Sequence, residues 1–295
     1  MSTTKDFETK QFPTWCPGCG DFGIWTALKN AFVAQGLEPH QIVTVFGIGC
    51  SGNMASFLNT YGFHGLHGRS IPAATAIKLA NNKLQVVTVG GDGDGYGIGL
   101  GHTIHAMRRN VDMTYVVHDN QIYGLTKGQA SPTSEKGVTT KSTPFGLIET
   151  PLDPIAMAIS VGATYVARGF AGNTKQLTEL IVGAMKHKGF ALVDVLQPCV
   201  TFNHHNTFHW FYDRVYELEK EGHNPKDKQA AWTRAMEWPT PLKIDESRVD
   251  KIPTGLFYVE DRATYEDELP QIAEKPLVEH PLDNIDITPL METLS

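Results

Sequence analysis

Two apolar runs that end abruptly in polar residues constrain the fold of this chain most. The first run, at 84–89, is followed by a glycine-rich segment that carries Asp92, and the second, at 113–118, is followed by Asp119 and Asn120. Continuous apolar and β-branched runs are typical of strands buried on both faces, as in parallel sheets. Open α/β sheets bind ligands at the carboxyl ends of such strands. The separation between Asp92 and Asn120 leaves room for one helix, so we expect the two side chains at neighbouring strand ends.

Strand and helix patterns alternate along most of the chain, which predicts an α/β fold: a doubly wound, mainly parallel sheet with helices on both faces. Asp21 is expected to cap the first helix, and the His64–Arg69 segment is expected in a loop. Further strands are predicted at 42–46, 164–167 and 190–196, and helices near 72–81, 97–108, 154–161 and 174–188.

The character of the sequence changes after Cys199. An aromatic helix is predicted at 206–221, followed by a segment rich in Pro, Asp, Glu and Lys with one edge strand at 257–259. We therefore expect an α/β domain over 1–205, and over 206–295 a helix plus an extended C-terminal arm that contacts another subunit.

Composition narrows the functional classes. The chain has 295 residues, with 25 basic against 32 acidic side chains and a net charge of −7. This balance, without any basic run interleaved with aromatic residues, argues against nucleic-acid binding. Since no apolar run reaches the length of a membrane span and the N-terminus has no apolar signal core, we expect no membrane partner and a cytoplasmic location.

Asp92 and Asn120 supply the hard oxygen atoms that Mg²⁺ prefers. A main-chain carbonyl near Ile122 is expected as a third ligand, with diphosphate oxygens completing the octahedron. Glycines around Asp92 admit phosphate groups, and Asp94 is expected to cap the following helix. The alternative is a pair of ordinary turns, which we consider weaker because the two halves fall at the predicted spacing.

Four cysteines fall next to segment ends that are expected on one side of the sheet: Cys16, Cys19, Cys50 and Cys199. Four thiolates hold either a [4Fe–4S] cluster or a structural zinc ion, and the Cys-x-x-Cys spacing suits both. A third interpretation makes Cys50 or Cys199 a small buried apolar residue.

Two weaker motifs and one histidine complete the set of candidates. Gly47-x-Gly49-x-x-Gly52 follows a strand but lacks the acidic residue expected of a dinucleotide site, so its glycines are expected to pass close to a cofactor or cluster. His205 and His209 lie one helical turn apart, but we interpret them as surface or interface residues. His67 precedes a glycine at the sheet end expected to carry Asp92, which suits a diphosphate contact.

Taken together, these ordered motifs resemble the β subunit of 2-oxoacid:ferredoxin oxidoreductases, and most closely the 2-oxoglutarate-specific type with two subunits. The resemblance rests on Cys16-Pro-Gly-Cys19-Gly, Gly47-Ile-Gly-Cys50-Ser, His64-Gly-Leu-His-Gly-Arg69, Gly91-Asp-Gly-Asp94, the segment Asp119–Thr133 and Gln197-Pro-Cys199.

The resemblance implies a thiamine diphosphate-binding fold. It makes Asp92, Asn120 and the Ile122 carbonyl the Mg²⁺ ligands, and the four cysteines the ligands of one [4Fe–4S] cluster. Contacts with the cofactor are expected from Gly49, Ser51, His67, Gly68, Gly91, Asp92, Gly93, Asn120, Ile122 and Gly124.

The implied activity is the coenzyme A-dependent oxidative decarboxylation of 2-oxoglutarate, or the reverse carboxylation, with electrons passing through the cluster to ferredoxin. A glutamate that activates the cofactor is expected from an α subunit in an αβ or (αβ)2 assembly, so no catalytic residue is assigned in this chain. The alternatives are the same chemistry on pyruvate or on many 2-oxoacids, a non-redox decarboxylase half with structural zinc, and a scaffold subunit. Asn53 and Leu125 are expected in the substrate pocket.

Overall fold

The computed structural model describes residues 2–238, 251–281, 283 and 285–294. In this part of the chain eight strands form one sheet and two short strands form a hairpin beside it. The strands are β1 (Ile42–Phe46), β2 (Tyr61–His64), β3 (Gln85–Gly91), β4 (Met113–Asp119), β5 (Ile122–Tyr123), β6 (Gln129–Ala130), β7 (Tyr165–Phe170), β8 (Phe190–Leu196), β9 (Val215–Glu217) and β10 (Ile252–Val259).

The main sheet has the order β2-β1-β3-β4-β8-β7-β10-β9. Every neighbouring pair is parallel except β7 with β10. The connecting helices are α1 (Asp21–Ala34), α2 (Ser70–Ala80), α3 (Leu100–Arg109), α4 (Pro154–Val161), α5 (Thr174–Lys186), α6 (Phe208–Tyr212), α7 (Lys228–Ala235), α8 (Pro270–Ala273) and α9 (Thr288–Thr293).

Two hydrophobic clusters cover the two faces of the sheet. One joins α1 and α5 to one face, and the other joins α2, α3 and α4 to the opposite face. Along β4, Val116 packs into the first cluster, whereas Tyr115 and Val117 pack into the second. Because side chains alternate across a strand, both faces of β4 are buried, and the predicted mainly parallel, doubly wound sheet is confirmed.

Local capping follows the sequence at α4. The Asp153 carboxylate accepts hydrogen bonds from the N–H groups of Ile155 and Ala156, both at 3.0 Å, and Pro154 occupies the first helical position. This places α4 where the Asp-Pro pair predicts it.

The C-terminal third differs from its predicted elements. The helix expected at 206–221 is limited to α6, because the chain then extends into β9. The strand predicted at 257–259 is the end of β10, which lies between β7 and β9 and is therefore not an edge strand. The division of the chain at 205/206 stays a prediction, although β9 and β10 extend the same sheet.

One N-terminal prediction is wrong. Asp21 is the first residue of α1 rather than its cap, which is Gly20, and its side chain bonds elsewhere. The loop predicted at His64–Arg69 is present at residues 65–69, and His64 is the last residue of the edge strand β2, whose residues are all exposed. Within the described ranges, no helix combines the length and apolar character needed to cross a bilayer.

Candidate cofactor site

The ends of β3 and β4 bring the predicted Mg²⁺ ligands together. The two strands are parallel neighbours, and Gly91 stands opposite His118 in their register. Asp92 and Asn120 therefore leave the sheet side by side, as the sequence predicts. At Gln121 the backbone turns through a positive φ of 60°. The Asn120 side-chain oxygen then accepts the Ile122 N–H at 3.1 Å, which fixes the turn between the two candidate ligands.

Two buried carboxylates meet at one hydroxyl group below this turn. Thr133 Oγ1 lies 2.7 Å from Asp92 Oδ2 and 2.7 Å from Asp119 Oδ1. A hydroxyl carries one proton, so it donates to only one carboxylate at a time. Burial raises the pKa of Asp92. Burial, followed by the charges of Asp194 and Asp92, raises the pKa of Asp119 well above its usual range. The arrangement favours a bound cation, because a divalent ion would offset the charge that burial makes costly.

The ligand set fits Mg²⁺ in its chemistry. It combines the Asp92 carboxylate, the Asn120 amide oxygen and the Ile122 carbonyl, all of them hard oxygen donors. No group of three His, Cys, Asp or Glu side chains in the described ranges is arranged around a single ion. That finding leaves the Mg²⁺ site open, since only one of its three protein ligands belongs to those residue types.

Asp94 joins three segments instead of capping a helix. Its Oδ1 accepts the N–H groups of Ile48 and Gly68 at 3.0 and 2.7 Å and lies 2.8 Å from His67 Nδ1. The predicted cap is wrong because these partners lie in the loops that follow β1 and β2. Asp94 thereby holds both loops against the end of β3.

One cavity lies above these strand ends. Its walls contain most of the predicted cofactor contacts together with the predicted substrate-pocket residue Leu125. Gly68 and Asn53 do not line it, although the Gly68 N–H donates to the lining residue Asp94. The lining residues are Ile48, Gly49, Cys50, Ser51, His67, Gly91, Asp92, Gly93, Asp94, His118, Asn120, Ile122, Tyr123, Gly124, Leu125 and Thr126.

Two buried polar atoms in the cavity wall are available to a ligand. Ser51 Oγ and His118 Nε2 are both buried, both residues line the cavity, and neither atom has a hydrogen-bond partner among the described residues. An unpaired buried polar group costs about 1–3 kcal/mol, so such atoms in a cavity wall indicate a missing ligand.

Cys50 and Cys199 lie beside the same cavity. None of the four cysteines is in a disulfide, and Cys50 itself lines the cavity. A Cβ atom placed on Gly124 would lie 3.6 Å from Cys50 Sγ and 3.8 Å from Cys199 Sγ, so both sulfurs border Gly124. Burial, and after it the negative charge of Asp21, raises the pKa of the Cys50 thiol to about 12. Ionising the Cys50 thiol therefore requires a cationic partner, which suits an iron–sulfur or zinc site.

Several residues in the site were missed from the sequence. Thr133 carries no metal-binding or catalytic signature of its own, and His118 reads as the last residue of a buried strand. The signals available for Thr133 were the length and polarity of the loop after β4 and its place at the end of the Asp119–Thr133 motif. Of the glycines in the 47–52 motif, Gly49 lines the cavity, whereas Gly47 and Gly52 pack closely against other protein atoms. A Cβ on Gly47 would lie 2.0 Å from Asp94 Oδ2, and one on Gly52 would lie 1.9 Å from the Gly47 carbonyl oxygen.

Two protein families match this sequence. The family described as "Thiamine pyrophosphate enzyme, C-terminal TPP binding domain" matches residues 47–195. The family that describes the C-terminal part of the pyruvate ferredoxin oxidoreductase beta chain matches residues 199–274. The first match contains the Mg²⁺ ligand candidates and the cavity, so the sheet is of the thiamine diphosphate-binding type.

Two curated relatives and one solved structure cover most of the chain. The 2-oxoacid:ferredoxin oxidoreductase subunit beta of Sulfolobus sp. is 49% identical over 85% of this chain and 83% of its own length. Subunit beta of 2-oxoacid:ferredoxin oxidoreductase 1 from Aeropyrum pernix is 42% identical over 98% of this chain and 89% of its own length. The 2-oxoglutarate:ferredoxin oxidoreductase from Magnetococcus marinus, solved with 2-oxoglutarate, coenzyme A and succinyl-CoA bound, is 40% identical. It matches with a TM-score of 0.88 over 100% of this chain and 96% of that chain.

Proposed function

The chain belongs to the β subunits of the 2-oxoacid:ferredoxin oxidoreductase family, and we propose that its enzyme acts on 2-oxoglutarate with coenzyme A and ferredoxin. The observation that carries the proposal is a single cavity with Asp92, Asn120 and Cys50 in its walls. A diphosphate site and a thiolate site then share one chamber, as electron transfer between a cofactor and a cluster requires.

The residues of the strand ends hold the cofactor in this proposal. Thiamine diphosphate, when bound, supplies the electron sink for decarboxylation of a 2-oxoacid. Asp92, Asn120 and the Ile122 carbonyl hold Mg²⁺, which anchors the diphosphate. Asp94 fixes the His67 ring at Nδ1, which leaves Nε2 for a phosphate oxygen. Ser51 Oγ gains the partner that it lacks within the chain.

A [4Fe–4S] cluster suits the cysteines of this chain better than a structural zinc ion does. The chain belongs to a family of ferredoxin-linked oxidoreductases, whose reaction requires an electron carrier. Zinc has no redox chemistry, whereas a cubane held by four thiolates takes up and releases electrons. This support applies to Cys16, Cys19, Cys50 and Cys199 as one set.

The proposed substrate rests on the relative from Magnetococcus marinus, whose structure contains 2-oxoglutarate. Leu125 lines the cavity and is 49% exposed, so it is available to a substrate entering from outside. Pyruvate, or a broad range of 2-oxoacids, is the second candidate, because the curated relatives carry the general name 2-oxoacid.

An α subunit is proposed to complete the site, in an αβ or (αβ)2 assembly. This chain supplies one thiamine diphosphate-type sheet, and the glutamate that activates the cofactor is expected from the partner. The segment after residue 205 remains the candidate partner surface. Its exposed apolar side chains include Tyr212, Leu277, Val278, Ile285, Ile287, Leu290, Met291 and Leu294.

Anaerobic co-purification with the α subunit tests the proposal. We expect brown protein with about four iron atoms per β chain. We also expect reduction of methyl viologen that is faster with 2-oxoglutarate than with pyruvate or 2-oxobutyrate. Colourless, zinc-containing protein would exclude the cluster, and a preference for pyruvate would exclude the proposed substrate.

Two variants separate the halves of the site. Asp92→Asn is expected to retain iron and lose Mg²⁺-dependent binding of thiamine diphosphate. Cys199→Ala is expected to lose iron and retain cofactor binding. Loss of both properties in both variants would mean that the substitutions act through folding, which circular dichroism and thermal unfolding would reveal.

A further inference from the structure

A chain of buried polar contacts runs from the cavity to a cysteine. His118 Nδ1 lies 2.6 Å from Asp21 Oδ1, and Asp21 Oδ2 lies 3.3 Å from Cys19 Sγ. Asp21 and His118 are both 0% exposed, and Cys19 is buried. Cys19 and Asp21 are two positions apart along the chain, and the fold brings His118 to them from β4.

Both ends of this chain face a proposed ligand. His118 lines the cavity, and its Nε2 is buried without a partner among the described residues. Cys19 is one of the four cysteines assigned to the cluster. A pair with a purely structural role would be expected to have both ring nitrogens bonded within the chain, because an unpaired buried nitrogen is costly. The open Nε2 therefore indicates a contact with the bound cofactor or substrate.

We propose that Asp21 is a positioning residue that links the two halves of the site: it orients His118 toward the cavity and lowers the reduction potential of the cluster through Cys19. This inference rests on the proposed function, because it requires a cluster at the cysteines. Each oxygen of the Asp21 carboxylate contacts one of the two groups, which is why a single side chain acts on both.

The effect on the cluster follows from charge. A reduced cluster carries one more negative charge than the oxidised one, and cluster potentials depend on net charge and on hydrogen bonds to the sulfurs. A carboxylate beside a ligand sulfur disfavours the reduced form. The opposing contact is Gln197 Nε2, which donates to Cys19 Sγ at 3.2 Å. Asp21 therefore makes the cluster a stronger reductant, which suits electron delivery to a ferredoxin.

The effect on the cavity follows from orientation. His118 lies in a buried strand, and the bond from Asp21 fixes one ring nitrogen, which determines where the other nitrogen points. Replacing Asp21 by Asn keeps the shape of the side chain, but it removes the carboxylate charge and weakens the hydrogen bond to His118. Loss of one oriented hydrogen bond corresponds to a cofactor affinity lower by about two- to tenfold.

The experiment uses the αβ assembly, purified anaerobically, with Asp21→Asn compared with wild type and with Glu179→Gln, at an exposed position of α5, as the matched control. The cluster midpoint potential is measured by redox titration followed by electron paramagnetic resonance. Affinity for thiamine diphosphate at saturating Mg²⁺ is measured by fluorescence quenching. We expect Asp21→Asn to shift the potential upward and to lower the affinity for thiamine diphosphate by about two- to tenfold, while Glu179→Gln changes neither.

A wild-type potential or wild-type cofactor affinity in Asp21→Asn would overturn the proposal, as would complete loss of the cluster from a folded variant. His118→Phe tests the cavity half separately, with weakened cofactor binding and unchanged iron content as the expected result. Wild-type affinity in His118→Phe would contradict the role of His118. Wild-type protein without iron would instead contradict the proposed function itself, so the two failures are distinguishable.

Discussion

At the residue scale, the site depends on carboxylates placed where water cannot solvate them. Asp92 and Asp119 are 2% and 1% exposed and share one hydroxyl donor, Thr133. Farther below, Asp194 accepts from the Tyr96 hydroxyl at 2.9 Å, and burial raises its pKa to about 6. The Arg168 guanidinium below offsets part of this concentration of negative charge, and the proposed Mg²⁺ above would offset more of it.

The first prediction concerns the pH dependence of cofactor binding. Burial raises the pKa of Asp92, and Mg²⁺ binds only its ionised form. A falling pH therefore protonates Asp92 earlier than an exposed aspartate, and Mg²⁺-dependent affinity for thiamine diphosphate should fall with it. Fluorescence quenching between about pH 5 and 8 measures this.

Asp92→Asn should lower the Mg²⁺-dependent affinity for thiamine diphosphate at least about tenfold at neutral pH. It should also flatten the pH profile of that affinity, because the amide does not titrate. Asp261→Asn, at an exposed position, serves as the control and should keep the wild-type profile. An unchanged profile in Asp92→Asn would remove Asp92 from the ligand set.

At the scale of elements, Asp94 joins the loops that follow β1, β2 and β3, and these loops are closely packed. The loop after β1 lies so close to Asp94 that Gly47 has no space for a side chain. The same loop carries Gly49, Cys50 and Ser51 in the cavity wall. The spacing that resembles a dinucleotide fingerprint therefore reflects close packing of the loop against β3 and itself.

The second prediction compares two glycines. Gly47→Ala should displace Asp94, destabilise the protein by about 1–3 kcal/mol and weaken cofactor binding, because the new methyl group meets a buried carboxylate. Gly101→Ala lies in α3 with no atom within 4 Å of the added Cβ. It should stabilise the protein by about 0.5–1 kcal/mol.

Urea unfolding measures both stabilities, and fluorescence quenching measures cofactor affinity. Equal stabilities of the two alanine variants would contradict the assigned close packing at Gly47.

At the scale of the whole molecule, one buried cation connects the central sheet to the C-terminal segment. Arg168 on β7 is 0% exposed and pairs with Asp194 on β8 at 3.4 Å. Its guanidinium also donates to the Trp238 carbonyl at 3.3 Å and lies 5.0 Å from the Trp238 ring centroid. The segment after α7 is therefore fixed to the sheet by electrostatic contacts as well as by apolar packing.

The third prediction follows from this pairing. Arg168→Leu should lower the free energy of unfolding by about 3–5 kcal/mol, because it leaves Asp194 buried without its cationic partner. Arg108→Leu, at an exposed position of α3, is the control and should change stability by no more than about 0.5 kcal/mol. Urea unfolding of the cofactor-free chains gives both values, and a loss below about 1 kcal/mol in Arg168→Leu would mean that Arg168 is dispensable.

The sequence by itself determined that the strands ending at Asp92 and Asn120 are neighbours, and it indicated the residue types proposed to bind the cofactor. The runs ending at Asp92 and Asn120 have period and composition typical of buried parallel strands, and parallel neighbours bring their carboxyl ends together. The Asp-Pro start of α4 was also predictable, because both residues act within their own helix. Each of these features depends on contacts close along the chain or on the general geometry of parallel sheets.

Only the tertiary structure decided which distant groups meet. Asp21 and Asp94 both read as helix caps, since each is an acidic residue at a helix start, yet each bonds to groups far along the chain. The pairing of β10 with β7 was hidden for the same reason, because strand partners depend on packing across more than eighty positions. The register of β3 and β4 was indicated by the pattern at Asp92 and Asn120. The contacts from Thr133 to Asp92 and from His118 to Asp21 were not predictable in this way. They form because long-range packing brings buried polar groups together, and such groups must find hydrogen-bond partners.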